Sequence, residues 1–266
     1  MKMKFALVNG QKMEPQPGLK GTCTYCQRNM TAKCGPVRIW HWAHKSKCSC
    51  DPWWENETDW HRTWKNHFPT EWQEIIHIDS ATGEKHIADI KTANGLVVEF
   101  QHSAIQPTEI QSREVFYKNM VWVVDGTRLK KDYPRFSKGF SCLRPIPTVQ
   151  GFFLLAFPEE CFPKSWLKSS VPVYFDFQGI YPVDQQERIR SPLWCLFPGR
   201  VEGHALVAGV SRKQFIELAS TDSHLLLARD ILNNLSQLIR LQRQNAAAQQ
   251  TRAAYPRYVR RRSHGF

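Results

Sequence analysis

The chain of 266 residues is long enough for one large domain or for a core domain with appendages, because single hydrophobic cores stop growing near roughly 250 to 300 residues. With 42% hydrophobic and 23% charged residues, the composition excludes both a disulfide-stapled miniprotein and a largely disordered chain. Residues 1–50 carry nine Lys or Arg and one acid, residues 51–230 carry 20 Lys or Arg and 23 acids, and residues 231–266 carry seven Arg and no acid. This pattern indicates a polyanionic partner at the basic ends and carboxylate chemistry in the middle, although two solvated basic surfaces would give the same distribution.

No secretory signal or membrane-spanning segment is recognisable. The first ten residues contain two lysines but only a short apolar stretch, and the longest apolar run covers residues 152–157. We therefore predict a cytoplasmic protein that makes no membrane contact.

Five of the eight cysteines fall within 28 residues, and the other three lie far apart. In a chain without a secretory signal, such a cluster indicates a metal site rather than disulfides. Two cysteines at Cys-x2-Cys spacing supply one half of a tetrahedral site, and a His-Trp-Ala-His-x3-Cys segment at residues 41–48 supplies the other. The predicted zinc ligands are Cys23, Cys26, His44 and Cys48, with His41, Cys50 and Cys34 as alternatives. Because protein atoms fill all four positions the zinc would be structural, and Cys34 and Cys50 are otherwise expected to be ordinary buried thiols.

A helix is predicted after this cluster. Its N-cap is Asn56, and it ends before Pro69 because proline excludes the helical conformation for the residue that precedes it. Trp60, Trp64 and Phe68 recur every four residues and form its apolar stripe.

A β-meander, a second helix and a buried strand are predicted next. The meander strands cover residues 72–78, 86–91 and 96–102, and Asn94-Gly95 predicts a tight turn between the last two. The helix covers residues 107–120, with Pro107 in its first turn, and the strand covers residues 121–124.

The C-terminal half is predicted to be a β-rich extension at residues 141–220, a helix at residues 221–248 and a basic flexible tail at residues 249–266. Strands are expected at residues 151–157, 171–177 and 193–197, with Asp176 as a turn or edge acid. The apolar side of the helix suits either a protein partner or packing on its own domain. The tail is expected to bind DNA through Arg257, Arg260, Arg261 and Arg262.

Asp89, Glu99 and Gln101 are predicted to lie together on the hairpin. Residues two apart on a strand share a face, so Glu99 and Gln101 project to the same side, and the turn position places Asp89 near Glu99. Convergent carboxylates can bind Mg²⁺ or Mn²⁺, which prefer oxygen ligands. The alternative is that both acids are solvent-facing residues of an amphipathic hairpin.

The first helix is expected to extend this site. Glu57, His61 and Lys65 are spaced by four residues and form a polar stripe beside the tryptophan stripe. Packing of the tryptophans on the sheet would bring Glu57 and His61 to the edge of the hairpin.

Several of these motifs, in this order, resemble the competence protein CoiA-like family. The resemblance covers residues 20–140, about half of the chain, and several ordered motifs are more specific than any one of them. Its motifs are Cys23-x2-Cys26, His41-Trp42-Ala43-His44, Glu57-x3-His61-x3-Lys65, Ala88-Asp89, Glu99-Phe-Gln101-His-Ser103-x-Ile105, Arg113, Tyr117 and Val121-Trp-Val-Val-Asp125.

The resemblance implies an α/β fold with a restriction-endonuclease-like core of the PD-(D/E)XK type, which is a mixed sheet flanked by helices. The zinc-binding module would then be residues 1–50 and the nuclease-like core residues 51–140. Glu57 would be the helix carboxylate, and Asp89 and Glu99 the strand carboxylates. Gln101 would stand where the wider superfamily has lysine, so that Lys65 or His61 would have to supply the missing positive charge.

The expected activity is Mg²⁺- or Mn²⁺-dependent hydrolysis of DNA phosphodiester bonds, with single-stranded or branched DNA as the substrate. Asp89 and Glu99 would bind the metal, Gln101 would orient a water, and Glu57 would complete the metal environment. His61 or Lys65 would contact the phosphate or relay a proton. The alternative is an inactive single-stranded DNA-binding accessory protein of DNA uptake, recombination or defence.

Overall fold

The computed structural model describes residues 2–45, 50–147, 149–178, 186–221 and 229–254. They form a mixed α/β structure with two β-sheets and six α-helices. The α/β class predicted from the sequence is therefore confirmed. The predicted ligand Cys48 and the four tail arginines, Arg257, Arg260, Arg261 and Arg262, lie outside the described residues.

The first sheet belongs to the N-terminal module and has six short strands. Their bounds are β1 Lys2–Met3, β2 Ala6–Val8, β3 Gln11–Met13, β4 Lys20–Thr22, β5 Asn29–Lys33 and β6 His41–His44. Every pairing in it is antiparallel, in the order β1-β6-β5-β4-β2-β3. Its small core around Trp42 and Met30 includes Ile87 of the second sheet, so the module packs directly on the rest of the protein.

The second sheet has nine strands and runs through the remainder of the chain. The strands are β7 Gln73–Ile78, β8 Lys85–Lys91, β9 Val97–Gln101, β10 Met120–Asp125, β11 Arg144–Pro145, β12 Phe152–Leu155, β13 Val173–Asp176, β14 Leu193–Leu196 and β15 Ala205–Val210. Their order is β11-β12-β15-β14-β13-β10-β9-β8-β7, and only β9, β10 and β13 pair in parallel. The predicted β-rich extension thus continues the sheet that begins in residues 51–140.

Six helices cover the two faces of this sheet. They are α1 Asp59–Lys65, α2 Pro107–Tyr117, α3 Asp132–Gly139, α4 Glu187–Arg190, α5 Arg212–Thr221 and α6 Arg229–Ala254. One face packs on α1, α5 and α6, and the other on α2, α3 and α4. Leu235 and Ile239 of α6 are buried in the first of these cores, so this helix packs on its own domain, and contact with a protein partner stays a prediction.

The helices and strands around the predicted hairpin follow the sequence closely, but two local predictions are wrong. The N-cap of α1 is Thr58 rather than Asn56, because the Thr58 hydroxyl accepts the His61 backbone N–H; Glu57 therefore precedes the helix. Asp176 is not a turn or edge acid. It ends the central strand β13 and is buried, where one of its oxygens accepts the indole N–H groups of Trp60 and Trp64.

Candidate active site and metal centre

Strands β8 and β9 separate at the two predicted strand carboxylates. The last backbone pairs are Lys91 with Val97 and Ile90 with Val98. The next residues are Asp89 and Glu99, and here side chains replace the backbone ladder. The Asp89 N–H donates to Glu99 Oε1 at 3.1 Å, and the Phe100 N–H donates to Asp89 Oδ2 at 3.0 Å. The register of the hairpin therefore holds these two carboxylates against each other, as the sequence predicted.

A pocket opens beside this pair, with about 310 Å³ of empty space that is continuous with solvent. Four carboxylates and three cationic or imidazole side chains contribute most of its polar lining. These side chains are Glu55, Glu57, Asp89, Glu99, His61, Lys65 and Arg113. Five of the six predicted catalytic residues thus line one pocket, and the sixth, Gln101, contacts Glu55 at its wall.

Lys65 is the central cation of the pocket and is only 1% exposed as a side chain. Its Nζ lies 3.0 Å from Asp89 Oδ1, 3.2 Å from Glu74 Oε1 and 3.7 Å from Glu57 Oε1. Burial alone would lower its pKa, but Asp89, Glu74 and Glu57 together raise it above the ordinary lysine value. The ammonium therefore stays charged at neutral pH and lies next to a predicted metal ligand.

Glu99 has a different environment from Asp89. Its second oxygen accepts from Arg113 Nη1 at 3.0 Å, and Arg113 also binds Glu109 and the Trp53 carbonyl. Burial is the main cause that raises the pKa of Glu99 to about 8, and the negative charge of Asp89 raises it further, although the Arg113 guanidinium acts in the opposite direction. A buried acid beside a second, partly exposed acid makes such a site electrostatically costly, and a divalent cation would offset this cost.

Glu55, which the sequence analysis missed, fixes the end of β9. Its carboxylate accepts from the Gln101 side-chain amide at 3.0 Å and from the backbone N–H groups of His102 and Ser103 at 3.2 and 2.6 Å. Burial by itself would raise its pKa, but hydrogen bonds from His61, Ser103 and His102 lower it to about 2. Glu55 lies outside any helix or strand, so its only sequence signal was its position two residues before Glu57.

The Gln101 side chain is oriented by these contacts. Its amide nitrogen donates to Glu55 and to the Ser103 carbonyl oxygen, which are both acceptors only. Its oxygen is buried and has no hydrogen-bond partner among the described residues. Gln101 is therefore held so that the oxygen is free to accept a hydrogen bond.

His61 is engaged through both ring nitrogens. Nε2 donates to the Phe100 carbonyl oxygen at 3.0 Å and also lies 3.5 Å from Glu55 Oε2, and Nδ1 contacts the Thr58 hydroxyl at 2.9 Å. The side chain is buried and fixes the end of β9 against α1. The sequence analysis did not identify Arg62 as a site residue. Its Nε donates to the Glu57 carboxylate at 3.0 Å and its Nη2 donates to the Trp40 carbonyl oxygen, so it links that acid to the N-terminal module.

A second group of ligands lies in the N-terminal module. The side chains of Cys23, Cys26, His44 and Cys50 place one ligand atom each within 4.8 Å of the others. Cys23 Sγ lies 3.9 Å from Cys50 Sγ, and Cys26 Sγ lies 3.2 Å from His44 Nε2. Bonds of about 2.3 Å in a tetrahedral zinc site place two sulfurs about 3.8 Å apart, so the group fits a zinc ion.

Cys50 is therefore a member of the ligand group, contrary to its expected role as an ordinary thiol, whereas Cys34 and His41 do not belong to it. The turn at residues 23–28 forms the first half of the site. The Gln27 N–H donates to the Cys23 carbonyl, and Gln27 adopts a left-handed conformation with φ of 60°. A hydrogen bond with Cys50 lowers the pKa of the Cys23 thiol to about 5.

The acid pocket does not form a closed set of this kind. Among the described residues, the Cys/His group alone brings three or more such ligand atoms together within that distance. The closest carboxylates of the pocket are instead a pair, Asp89 and Glu99, which are joined through the Asp89 backbone N–H.

Neither a protein-family model, nor a curated protein, nor a solved structure matches the chain. In the described part of the chain, no helix combines the length and apolarity that crossing a membrane requires.

Proposed function

We propose that the protein is a metal-dependent DNA nuclease with a restriction-endonuclease-like core of the PD-(D/E)XK type, similar to the CoiA-like family. The observation that carries this proposal is the Asp89–Glu99 pair, which faces a solvent-connected pocket next to the buried ammonium of Lys65. The order α1, β7, β8, β9, α2, β10, with β9 and β10 parallel, supports the same core.

Asp89 and Glu99 would hold Mg²⁺ or Mn²⁺ where β8 and β9 separate. The bound ion would supply a water of lowered pKa and stabilise negative charge on the phosphate. Gln101 would orient the attacking water, because its side-chain oxygen has no hydrogen-bond partner among the described residues. Glu55 keeps that oxygen in place, and His61 fixes the end of the same strand.

Lys65 supplies the positive charge that Gln101 lacks. Its ammonium lies on the Asp89 side of the pocket, where it stabilises charge that develops on the phosphate. Glu57 is fully paired with Arg62 and Lys65, so its role is to orient these two cations rather than to add a metal ligand. The Cys/His group would hold zinc as a structural ion that fixes the N-terminal module.

The proposal is tested with Asp89→Asn and Glu99→Gln, which keep the shape of each side chain and one of its two oxygen acceptors but remove its negative charge. We expect each to reduce Mg²⁺- or Mn²⁺-dependent cleavage of single-stranded, nicked and branched DNA at least 100-fold, as loss of transition-state charge stabilisation does elsewhere. Glu71→Gln, at an exposed acid that precedes β7, is the matched control and should cleave like the wild type. Cleavage by both variants at rates close to the wild type, with zinc content and circular dichroism unchanged, would refute the assignment.

One observation favours a second function, that of an inactive DNA-binding accessory protein. Each of the four acids of the pocket already has a basic side chain beside it: Asp89 has Lys65, Glu99 has Arg113, Glu57 has Arg62 and Glu55 has His61. Such a network can also be purely structural. DNA binding that is independent of divalent ions, without cleavage of any DNA form by the wild type, would establish this second function.

A further inference from the structure

The loop between β5 and β6, residues 34–40, exposes apolar side chains that the fold does not use. It closes a hairpin whose last pair is Lys33 with His41. Val37 is 90% exposed, and Trp40 is 45% exposed. All ten tryptophans lie in described segments, and Trp40 is the only one of them that is exposed. Burying an indole stabilises a fold, so a half-exposed indole on the same loop as an exposed valine makes this loop a candidate contact for another molecule.

This loop, called here the β5–β6 loop, is joined directly to the acid pocket. Arg62 Nη2 donates to the Trp40 carbonyl oxygen at 3.0 Å, and the same guanidinium binds the Glu57 carboxylate. Glu57 lines the pocket. One side chain, Arg62, therefore separates the Trp40 backbone from the Glu57 carboxylate in the lining of the pocket, so that a strand passing over the pocket would also pass over this loop.

The charges around the loop are positive. The loop contains Arg38 and no acid, Lys33 precedes it, and both side chains are exposed. The one acid of residues 1–50, Glu14, lies 3.5 Å from the Lys4 ammonium and 4.0 Å from the Arg62 guanidinium, so two cations offset its charge. An exposed indole on the same hairpin as two exposed cations suits an unpaired base flanked by phosphates. Duplex DNA fits less well, because its bases are stacked inside the helix and present no free face to an indole.

We propose that the β5–β6 loop is the single-strand contact of this protein, with Trp40 stacking on an unpaired base of DNA while Lys33 and Arg38 contact the adjacent phosphates. This proposal rests on the proposed nuclease function, because it names the DNA form that would reach the pocket.

The test measures binding of a fluorescein-labelled oligothymidylate of about twenty nucleotides, longer than most single-strand sites, and of a duplex of equal length. Full-length protein is used without added divalent ions, so that no cleavage occurs. Trp40→Ala should weaken single-strand binding about 5- to 150-fold, the loss expected for one stacked base, and leave duplex binding within about twofold. Trp40→Phe should retain most of the affinity. Arg38→Ala and Lys33→Ala should each reduce the slope of the logarithm of the binding constant against the logarithm of the salt concentration by about 0.7 in magnitude.

Phe157→Ala is the matched control, because Phe157 is 60% exposed and lies after β12, outside the first sheet. It should bind both DNA forms like the wild type. Trp40→Ala leaves the carbonyl that Arg62 binds in place, so zinc content and circular dichroism should not change.

Unaltered single-strand affinity of Trp40→Ala, or equal losses for single strand and duplex, would overturn the proposal. Its failure is separable from that of the nuclease proposal. A selective loss in Trp40→Ala without cleavage by the wild type would retain the loop assignment and remove the enzyme. Cleavage that requires Asp89 and Glu99, together with unaltered single-strand binding in Trp40→Ala, would retain the enzyme and remove the loop assignment.

Discussion

Asp176 is expected to carry an unusually large share of the stability, because it joins helix α1 to the middle of the second sheet. Its Oδ2 accepts the Trp60 and Trp64 indole N–H groups at 3.1 and 2.9 Å, and its Oδ1 accepts from the Gln178 backbone N–H at 2.9 Å and from Arg212. All the helix contacts of this carboxylate come from residues more than thirty positions away in sequence.

Asp176→Ala would leave both indole donors buried without an acceptor. A buried donor without a partner costs about 1 to 3 kcal/mol, so the two together predict a loss of about 2 to 6 kcal/mol from the free energy of unfolding. This is a large fraction of the roughly 5 to 15 kcal/mol that stabilises a typical domain. Arg212 adds little to the loss, because its side chain is partly exposed and can be solvated.

Urea unfolding, followed by tryptophan fluorescence and circular dichroism, measures this effect. Asp176→Asn keeps one oxygen acceptor for the indoles and should be less destabilised than Asp176→Ala. Glu217→Ala removes an exposed acid of α5 whose one ion-pair partner in the described part of the chain is Lys213, and it should change stability by less than about 0.5 kcal/mol. Equal stability of Asp176→Ala and the wild type, or equal losses in Asp176→Ala and Asp176→Asn, would refute the reasoning.

Two further predictions concern the metal group and the wall of the pocket. The purified protein should contain one zinc ion per chain, as measured by inductively coupled plasma mass spectrometry. Cys50→Ser should lose the zinc and Cys34→Ser should retain it. Zinc retained in Cys50→Ser would contradict the ligand set. Glu55→Ala should free Gln101 and lower kcat for DNA cleavage up to about 100-fold with little change in KM, because Glu55 positions the group that orients the water. A rise in KM alone would instead assign Glu55 to DNA binding.

The sequence by itself determined those parts of the site whose geometry is local. The chain turns at residues 93–95, which include the predicted Asn94-Gly95: the Gly95 N–H donates to the Thr92 carbonyl and Gly95 has φ of 78°. This turn fixes which residues of β8 and β9 face each other. The Asp89–Glu99 pair followed from that register, since alternation along a strand depends only on backbone geometry. The Cys23–Cys26 half-site is local in the same sense, because two thiolates on one tight turn need no distant contact.

Only the tertiary structure decided which distant groups meet these residues. Glu55 reaches Gln101 across 46 positions, and Asp176 reaches Trp60 across 116. Neither acid belongs to a periodic pattern in the sequence. The environment of each side chain depends on how the helices pack on the sheet rather than on its neighbouring residues, so the sequence alone does not reveal it. For the same reason the choice of Cys50 over Cys34 required the folded module, since both cysteines are close enough in sequence to reach the site. Hydrophobic packing brings these elements together, and the buried polar groups then pair with whatever partners the packing places beside them.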